Sequence, residues 1–226
     1  MMRTVGIIGA MPSELVDIRN ALNTEEIIEK AGYEFHIANL ENIRVVSVCC
    51  GVAKVNAAVC AQVLIDNFDP EFVVNTGIAG GMNVKVKVCD VVIADCCQHH
   101  DVTMRFLENY PPYASSFETD KKLIEAVVET CKKLDIPYHI GKIVSGEQFI
   151  SDNAVKKSIV DAFSPLAVDM ESAGIAHCCF RNKTPFVTVR CISDNADDEG
   201  EMSFEEFEVK AAKRNADVVI ATIKSI

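Results

Sequence analysis

The sequence predicts an α/β protein that folds as one domain, with a central mixed, mostly parallel twisted sheet in a three-layer α/β/α arrangement. Strand-like apolar runs alternate with amphipathic, helix-like segments over most of the chain, which is typical of a sheet wrapped by helices. The length of 226 residues and the hydrophobic content of 49% suit one sizeable core. No internal repeat, low-complexity tract or linker interrupts the pattern, so we assign residues 1–226 to a single domain.

The first half of the chain predicts five strands and two helices. The apolar run at 5–10 ends in a glycine turn and predicts a buried strand. Leu15, Ile18 and Leu22 follow at helical spacing and predict a helix that begins at position 12 or 13. The other predicted elements of this half are strands at 33–40 and 43–50, a helix at 54–68, and strands at 71–81 and 88–100.

The second half opens with residues 102–117, which show no clear period and carry a Pro-Pro pair. We interpret them as a long loop. A second loop is predicted at 194–203. The elements around these loops are a helix at 121–134, a strand at 138–146, a short helix, a strand at 166–170, a helix at 171–181, a strand at 186–193 and a last helix from about 204 to 223.

Acidic side chains follow several of the predicted strands directly. In sheets of this kind, ligands bind beyond the carboxyl ends of the strands, so these residues are expected to meet at one crevice. The acids at these ends are Glu14, Glu147, Asp169 with Glu171, and Asp194 with Asp197. Cleavage of a glycosidic bond needs an acid for the leaving group and a base for water, and carboxylates also accept hydrogen bonds from sugar hydroxyls. The residues alone therefore predict an enzyme that handles sugars or nucleosides.

Composition excludes several other classes of function. The net charge of -11 argues against a nucleic-acid partner, and no run of 18 apolar residues predicts a membrane span. The chain has no Gly-rich nucleotide fingerprint, and its ten cysteines include no C-x-x-C pair, so neither a cofactor nor a metal is expected. His99 and His100 lack partners at metal spacing and are interpreted as structural. The cysteines lie in apolar runs or adjacent pairs without a disulfide or zinc pattern, which is typical of a reducing compartment. Together with an N-terminus without a leader segment, they predict a cytoplasmic protein.

Five segments taken together resemble the nucleoside phosphorylase/hydrolase superfamily, and most closely its 5′-methylthioadenosine/S-adenosylhomocysteine nucleosidases. The similarity covers almost the whole chain. The segments are "GIIGAMPSE", "VNTGIAGGM", "IVSGEQFI", "AVDMESAGIAHCC" and "VRCISDNAD" with "MSFEEF". The resemblance implies a nucleoside phosphorylase-like fold, an N-glycosidase of methionine salvage that uses no cofactor, and a homodimer in which residues 102–117 lie near the partner's active site.

The family also implies a role for particular residues. Asp194 would protonate adenine N7, oriented by Ser193, and Glu14 would activate the attacking water, which Arg190 helps to hold. Glu171 would bind the ribose hydroxyls. The remaining residues assigned to the ribose, the adenine and the surrounding pocket are Met11, Met170, Val52, Ile78, Ala79, Gly80, Phe149, Ile150 and Phe204. Asp169 is expected to bond nearby backbone.

Two departures from the family pattern leave alternatives open. The family usually has a hydroxyl residue where Ile78 stands, and residues 102–117 differ from the usual sequence of the 5′-substituent pocket. A purine nucleoside phosphorylase is one alternative, although Asn75 occupies the place of the arginine that such enzymes carry. A futalosine hydrolase and a catalytically silent nucleoside-binding protein are the others. The retention of Glu14, Glu171, Arg190 and Asp194 argues against the silent protein.

Overall fold

The computed structural model of the protein describes residues 2–40, 42–198 and 200–226. Within these ranges the chain forms ten strands and seven helices, in agreement with the predicted alternation. The strands are β1 (Arg3–Gly9), β2 (Glu26–Lys30), β3 (Tyr33–Leu40), β4 (Ile43–Cys49), β5 (Phe72–Gly81), β6 (Val91–His99), β7 (Phe117–Glu118), β8 (Tyr138–Ser145), β9 (Ala167–Asp169) and β10 (Phe186–Asp194). The helices are α1 (Pro12–Leu22), α2 (Lys54–Phe68), α3 (Met104–Asn109), α4 (Lys121–Lys133), α5 (Asn153–Phe163), α6 (Ser172–Asn182) and α7 (Gly200–Ser225).

All ten strands belong to one sheet, which is mixed but not mostly parallel. Its order is β10-β6-β8-β9-β5-β1-β4-β3-β2, with β7 paired to β6. Five of the pairings between described strands are parallel and five are antiparallel. The prediction underestimated the antiparallel share because β2 was not predicted and because the antiparallel pairs β10–β6 and β5–β9 join strands that are distant in the sequence.

The sheet closes on itself at one end. Strand β10 pairs with β5 as well as with β6, so β10, β6, β8, β9 and β5 form a ring of pairings. β5 makes this possible because it is ten residues long: Phe72 to Asn75 pair with β1, while Gly80 and Gly81 pair with β9. Irregularities between Ile192 and Asp194 on β10 and in β6 accommodate the curvature. The sequence did not predict this ring.

Separate hydrophobic cores lie on the two faces of the sheet. Helices α2 and α6 supply side chains such as Leu64 and Ile175 to one core. Helices α1, α4 and α7 supply Ile18, Val127 and Val219 to the other. In the described part of the chain, no helix is long and apolar enough to cross a bilayer.

Three stretches differ from the sequence prediction. Strand β2 was not predicted, because it is an edge strand whose mostly exposed side chains show no apolar alternation. Residues 102–117 contain the short helix α3, which buries none of its side chains and so lacks an amphipathic period; β7 begins at Phe117. The last helix begins at Gly200 rather than near position 204, so the predicted loop at 194–203 is shorter; its residue 199 lies outside the described residues.

Candidate active site

A cavity of about 300 Å³ opens where the carboxyl ends of β1, β5 and β10 meet the first residues of α1 and α6 and the first turns of α7. Its walls are largely apolar, and its polar groups are mostly carboxylates. The lining residues are Ala10, Met11, Glu14, Val52, Ile78, Ala79, Gly80, Phe149, Val168, Asp169, Met170, Glu171, Ser193, Asp194 and Phe204.

Glu14 lies in the first turn of α1 and is buried. Its carboxylate accepts three backbone hydrogen bonds, from the amides of Ala10 at 2.6 Å, Met11 at 3.0 Å and Ile78 at 3.0 Å. Burial raises the pKa of Glu14, against the opposing effects of Arg190 and these amide donors. A fixed carboxylate with a raised pKa is suited to accept a proton from water.

Asp194 is the last residue of β10. This strand pairs with one edge of β5, and β1, which leads into Glu14's helix, pairs with the other edge. Ser193 Oγ donates to Oδ2 of Asp194 at 2.7 Å, and the amide of Ala196 donates to its Oδ1 at 2.7 Å. Burial raises the pKa of Asp194, the two hydrogen bonds oppose this, and Asp197 adds a like charge. The direction is the one that a general acid requires, since such a group must hold a proton at working pH.

Glu171 stands immediately before α6, at the point where β9 ends. Its Oε1 accepts from the amide of Ala53 at 2.9 Å, which ties it to the start of α2. Burial, opposed by Arg190 and reinforced by Asp169, raises the pKa of Glu171 to about 7. Its side chain still lines the cavity, where it can accept hydrogen bonds from a sugar diol.

Arg190 is fully buried on β10 and does not line the cavity. It lies behind the acids, with Nε 2.8 Å from Asp169, Nη1 3.6 Å from Glu14 and Nη2 3.5 Å from Glu171. Burial opposes its charge, but the three carboxylates outweigh burial and raise its pKa. The guanidinium therefore acts on the site through the carboxylates.

Aromatic and sulfur-bearing side chains form the apolar wall. Phe149 and Phe204 meet edge to face, with ring centroids 5.6 Å apart. Met11 and Met170 line the same space, and Ile78 packs toward the core beneath α7 while its amide holds Glu14. A flat aromatic surface with flexible thioethers beside it suits a planar base and an apolar substituent.

The cavity is lined by all the residues that the family resemblance assigned to the site except Ile150 and Arg190, whereas Glu147 and Asp197, which were expected at the same crevice, do not line it. Ile150 borders a smaller hollow that adjoins the cavity and shares Phe149 with it. Arg190 lies behind the cavity wall. The sequence predicted that Asp169 forms hydrogen bonds with nearby backbone groups. It does accept from the amides of Glu171 at 3.3 Å and Ser172 at 3.2 Å. Its ion pair with Arg190 went unpredicted, because no local pattern links positions on β9 and β10.

Comparisons with known proteins show which family the chain resembles. Residues 4–224 match the model of the phosphorylase superfamily. The 5′-methylthioadenosine/S-adenosylhomocysteine nucleosidase of an Exiguobacterium species is 40% identical over 98% of both chains. The Neisseria meningitidis nucleosidase of that name, solved with methylthio-immucillin-A, is 35% identical with a TM-score of 0.94, covering 99% of this chain and 100% of that one.

A solved structure with a different name is similarly close in fold. The futalosine hydrolase of Helicobacter pylori is 29% identical, with a TM-score of 0.94, and the match covers 100% of this chain and 99% of that one. The full-length identity and the family match show that this chain belongs to the phosphorylase superfamily and, within it, to the 5′-methylthioadenosine/S-adenosylhomocysteine nucleosidases.

Proposed function

We propose that this protein is an N-glycosidase that hydrolyses 5′-methylthioadenosine and S-adenosylhomocysteine to adenine and the corresponding 5′-thio-ribose; 5′-deoxyadenosine is a further candidate substrate. The relatives named for this activity support the proposal. The observation that carries it is the charge of the cavity wall. The wall contains four carboxylates, from Glu14, Asp169, Glu171 and Asp194, and no lysine, arginine or histidine among the described residues that line it.

This wall favours water over phosphate as the attacking group. A carboxylate can take the proton that water must lose, whereas it repels phosphate, which is already an anion. At ~4 Å and an effective dielectric constant of about 20, the repulsion between two charges is about 4 kcal/mol. Asn75 does not offset it, because its amide is buried and donates to Ser172 Oγ at 2.8 Å. Lys54 is held in ion pairs with Asp101 and Glu147.

The proposed reaction assigns one step to each acid. Asp194, held by Ser193, donates its proton to N7 of adenine as the bond from N9 to C1′ breaks. Glu14 takes a proton from the water that attacks C1′. Glu171 accepts hydrogen bonds from the ribose hydroxyls, and its negative charge stabilises the positive sugar of the transition state. The base leaves as neutral adenine, and the sugar leaves with a hydroxyl at C1′.

The remaining residues would position the substrate. Phe149 stacks on adenine, whose edge is read by the backbone of Phe149 and Ile150, and Met170 packs on the sugar. Arg190 would orient Glu14 from behind the cavity wall, instead of holding the water directly as the family resemblance implied. Val52, Phe204, Met11, Ile78, Ala79 and Gly80 complete the enclosure.

The test is to supply 5′-methylthioadenosine in phosphate-free buffer and with added phosphate, and to separate the products by chromatography. We expect adenine and free methylthioribose, formed at a rate that phosphate does not change. Methylthioribose 1-phosphate as the main product would identify a phosphorylase. Binding without any release of adenine would identify a silent binding protein.

Futalosine hydrolysis is a second candidate, favoured by the fold similarity to the Helicobacter pylori enzyme. Both reactions break a bond between a purine and a ribose, and they differ in the base and in the 5′ group. A competition assay with equal concentrations of futalosine and 5′-methylthioadenosine compares their kcat/KM values directly. We expect the thio-nucleoside to be preferred, and a ratio in favour of futalosine would reassign the substrate.

We also propose that the protein is a homodimer with residues 102–117 near the partner's active site. Apolar side chains are exposed on α2 and α6, at Val55, Val59 and Phe180, and on and after α3, at Phe106, Tyr110 and Tyr113. Covering such side chains is a common reason for association. Light scattering at micromolar concentration should give the mass of a dimer, and a monomer at every concentration would refute the proposal.

Two proposals concern the molecule as a whole. The cores on both faces of one continuous sheet support a single domain over 1–226 in three layers, with the ring described above at one end. All ten cysteines are free thiols, which supports a reducing compartment such as the cytoplasm.

A further inference from the structure

Arg190 is shared unequally among three carboxylates behind the cavity. Its Nε lies 2.8 Å from Asp169 Oδ2, whereas Nη1 lies 3.6 Å from Glu14 Oε1 and Nη2 lies 3.5 Å from Glu171 Oε2. A hydrogen bond between charged groups is usually 2.7–2.9 Å long, so only the contact with Asp169 has that length. The other two acids feel the charge of the guanidinium without being fully paired to it.

Neutral acceptors fix the guanidinium in this position. Nη1 donates to the carbonyl of Thr76 at 3.1 Å, and Nη2 donates to Asn75 Oδ1 at 3.2 Å. Ser172 Oγ accepts from Nη2 at 3.3 Å and from Nε at 3.4 Å. These bonds hold the guanidinium against β5 and limit its movement toward Glu14.

Asp169 is itself fixed at the start of α6. Its Oδ1 accepts from Ser145 Oγ at 2.5 Å and from two backbone amides, and its Oδ2 accepts from Ser172 Oγ. Ser145 Oγ in turn accepts from the amide of Ala173 at 2.8 Å. Four donors and an ion pair satisfy a buried carboxylate well, so Asp169 is a firm anchor for Arg190.

We infer that Asp169 is a positioning residue for the reaction: by taking the closest pairing with Arg190, it leaves Glu14 under-paired and therefore basic enough to accept a proton from water. The inference rests on the proposed hydrolytic function, in which Glu14 is the base. If Asp169 lost its charge, the positive charge of the fixed guanidinium would be less compensated and would stabilise the ionised forms of Glu14 and Glu171 more strongly, so Glu14 would become a weaker base.

The other titratable groups near these acids do not replace Asp169 in this role. Cys50, beyond β4, faces Glu14, Glu171 and Arg190, and burial raises the pKa of its thiol. Cys97 on β6 faces Asp169 and Arg190, and burial raises its pKa as well. His100 faces Asp169, and burial lowers its pKa. All three are therefore neutral near pH 7, and Arg190 is the charged group that acts most directly on Glu14.

The test compares pH profiles of kcat/KM for the wild type, Asp169→Asn and Ser145→Ala. Asn keeps an oxygen for the donors of Oδ1 but removes the charge, so the acid limb should move down by about one pH unit. Asp169 also raises the pKa of Glu171, so an infrared titration of Glu14 assigns the shift to the base. The rate at neutral pH should fall ~10-fold because the base is weaker. Ser145→Ala removes one buried donor to Asp169 and no charge, so its acid limb should stay in place even if its stability falls.

A profile for Asp169→Asn whose limb coincides with that of the wild type, at any overall rate, would overturn the inference and leave Asp169 a structural residue. A wild type that releases no adenine from any nucleoside would instead refute the proposed function. The two failures are therefore distinguishable.

Infrared spectroscopy gives a measurement that does not depend on turnover. The difference between the carboxylate bands of the wild type and Glu14→Gln, followed through a pH titration, reports the midpoint of Glu14 itself. We expect a midpoint above the ordinary glutamate value of 4.5, and a lower midpoint when the same pair is made on the Asp169→Asn background. If Asp169→Asn does not fold, a wild-type midpoint at or below 4.5 overturns the inference.

Discussion

Glycine at position 77 gives Glu14 and Arg190 the space to approach each other. A Cβ at this position would lie 2.0 Å from Arg190 Nη1 and 2.3 Å from Glu14 Oε1, and its φ of +150° is one that other residues rarely adopt. Both groups are buried in a packed core and cannot move aside without losing partners. The absence of a side chain at position 77 therefore leaves the space in which Glu14 and Arg190 approach each other.

Gly77→Ala should accordingly destabilise the fold by about 2–4 kcal/mol and abolish most of the activity, because the added methyl separates the acid from the guanidinium. Gly32→Ala is the matched control, since Gly32 also has a positive φ, of +78°, but meets nothing within 4 Å. The control should cost only about 1 kcal/mol. Chemical denaturation and kcat measure both effects, and equal losses in the two variants would show that backbone strain alone matters.

Asp194→Asn tests the general acid. The amide keeps the shape of the side chain but has no acidic proton to give, so kcat should fall roughly 10²-fold or more while nucleoside binding persists. Asp198→Asn is the same change in the same loop, at an exposed residue outside the cavity that bonds Asn153. It should leave kcat within about twofold. Near-normal turnover in Asp194→Asn would remove Asp194 from the mechanism.

At the scale of elements, the site is assembled from the beginnings of helices. Helix α1 carries Glu14 in its first turn, and α6 begins directly after Glu171. Gly174 lets α6 lie close to α2, since a Cβ there would be 2.7 Å from the carbonyl of Lys54. That approach brings the amide of Ala53 to Glu171. The helices therefore set the distances between acids that belong to distant parts of the chain.

Helix α7 contributes Phe204 to the cavity wall, and Phe204→Ala tests the role of this side chain. Loss of the edge-to-face contact with Phe149 should raise KM about 3- to 10-fold with a smaller change in kcat, since such an aromatic pair is worth about 0.5–1.5 kcal/mol. Val209→Ala, at a residue of the same helix that is 74% exposed, should change neither parameter. An unchanged KM in Phe204→Ala would mean that α7 does not contact the substrate.

At the scale of the whole molecule, the cluster of buried acids couples folding to pH. The pKa of Glu171 is raised from 4.5 to about 7, because burial disfavours its charge and Asp169 repels it, against the attraction of Arg190. Between these values the folded protein holds a proton that the unfolded chain has released. The contribution of Glu171 to the free energy of unfolding is therefore present at low pH and is lost as the pH rises toward 7.

Glu171→Gln removes this dependence, because the amide does not titrate. Relative to the variant, the wild type should lose up to about 3 kcal/mol of unfolding free energy as the pH rises from about 4.5 to 7. Urea denaturation of both proteins at several pH values in this range gives the difference. Curves that stay parallel would show that Glu171 titrates alike in the folded and unfolded states.

The sequence by itself determined the α/β class and the acids of the site, and its resemblance to the family implied most of the other site residues. Its apolar runs and helical spacings are local signals, and the carboxyl ends of strands converge at one edge of a sheet wherever the strands lie side by side. Glu14, Glu171 and Asp194 could therefore be placed at one crevice before any pairing was known. The edge strand β2 and the short helix α3 were not predicted, because they bury too little apolar surface for their sequences to show a periodic pattern.

Only the tertiary structure decided how the sheet closes and which acid holds Arg190. The ring depends on β10 pairing with both β5 and β6, and strand partners far apart in sequence are chosen by global packing, not by local propensity. The pairing of Asp169 with Arg190 follows from that closure, because it brings the end of β9 to the middle of β10 behind Glu14. The residue types were visible in the sequence, whereas the distances between them were fixed by contacts between distant strands.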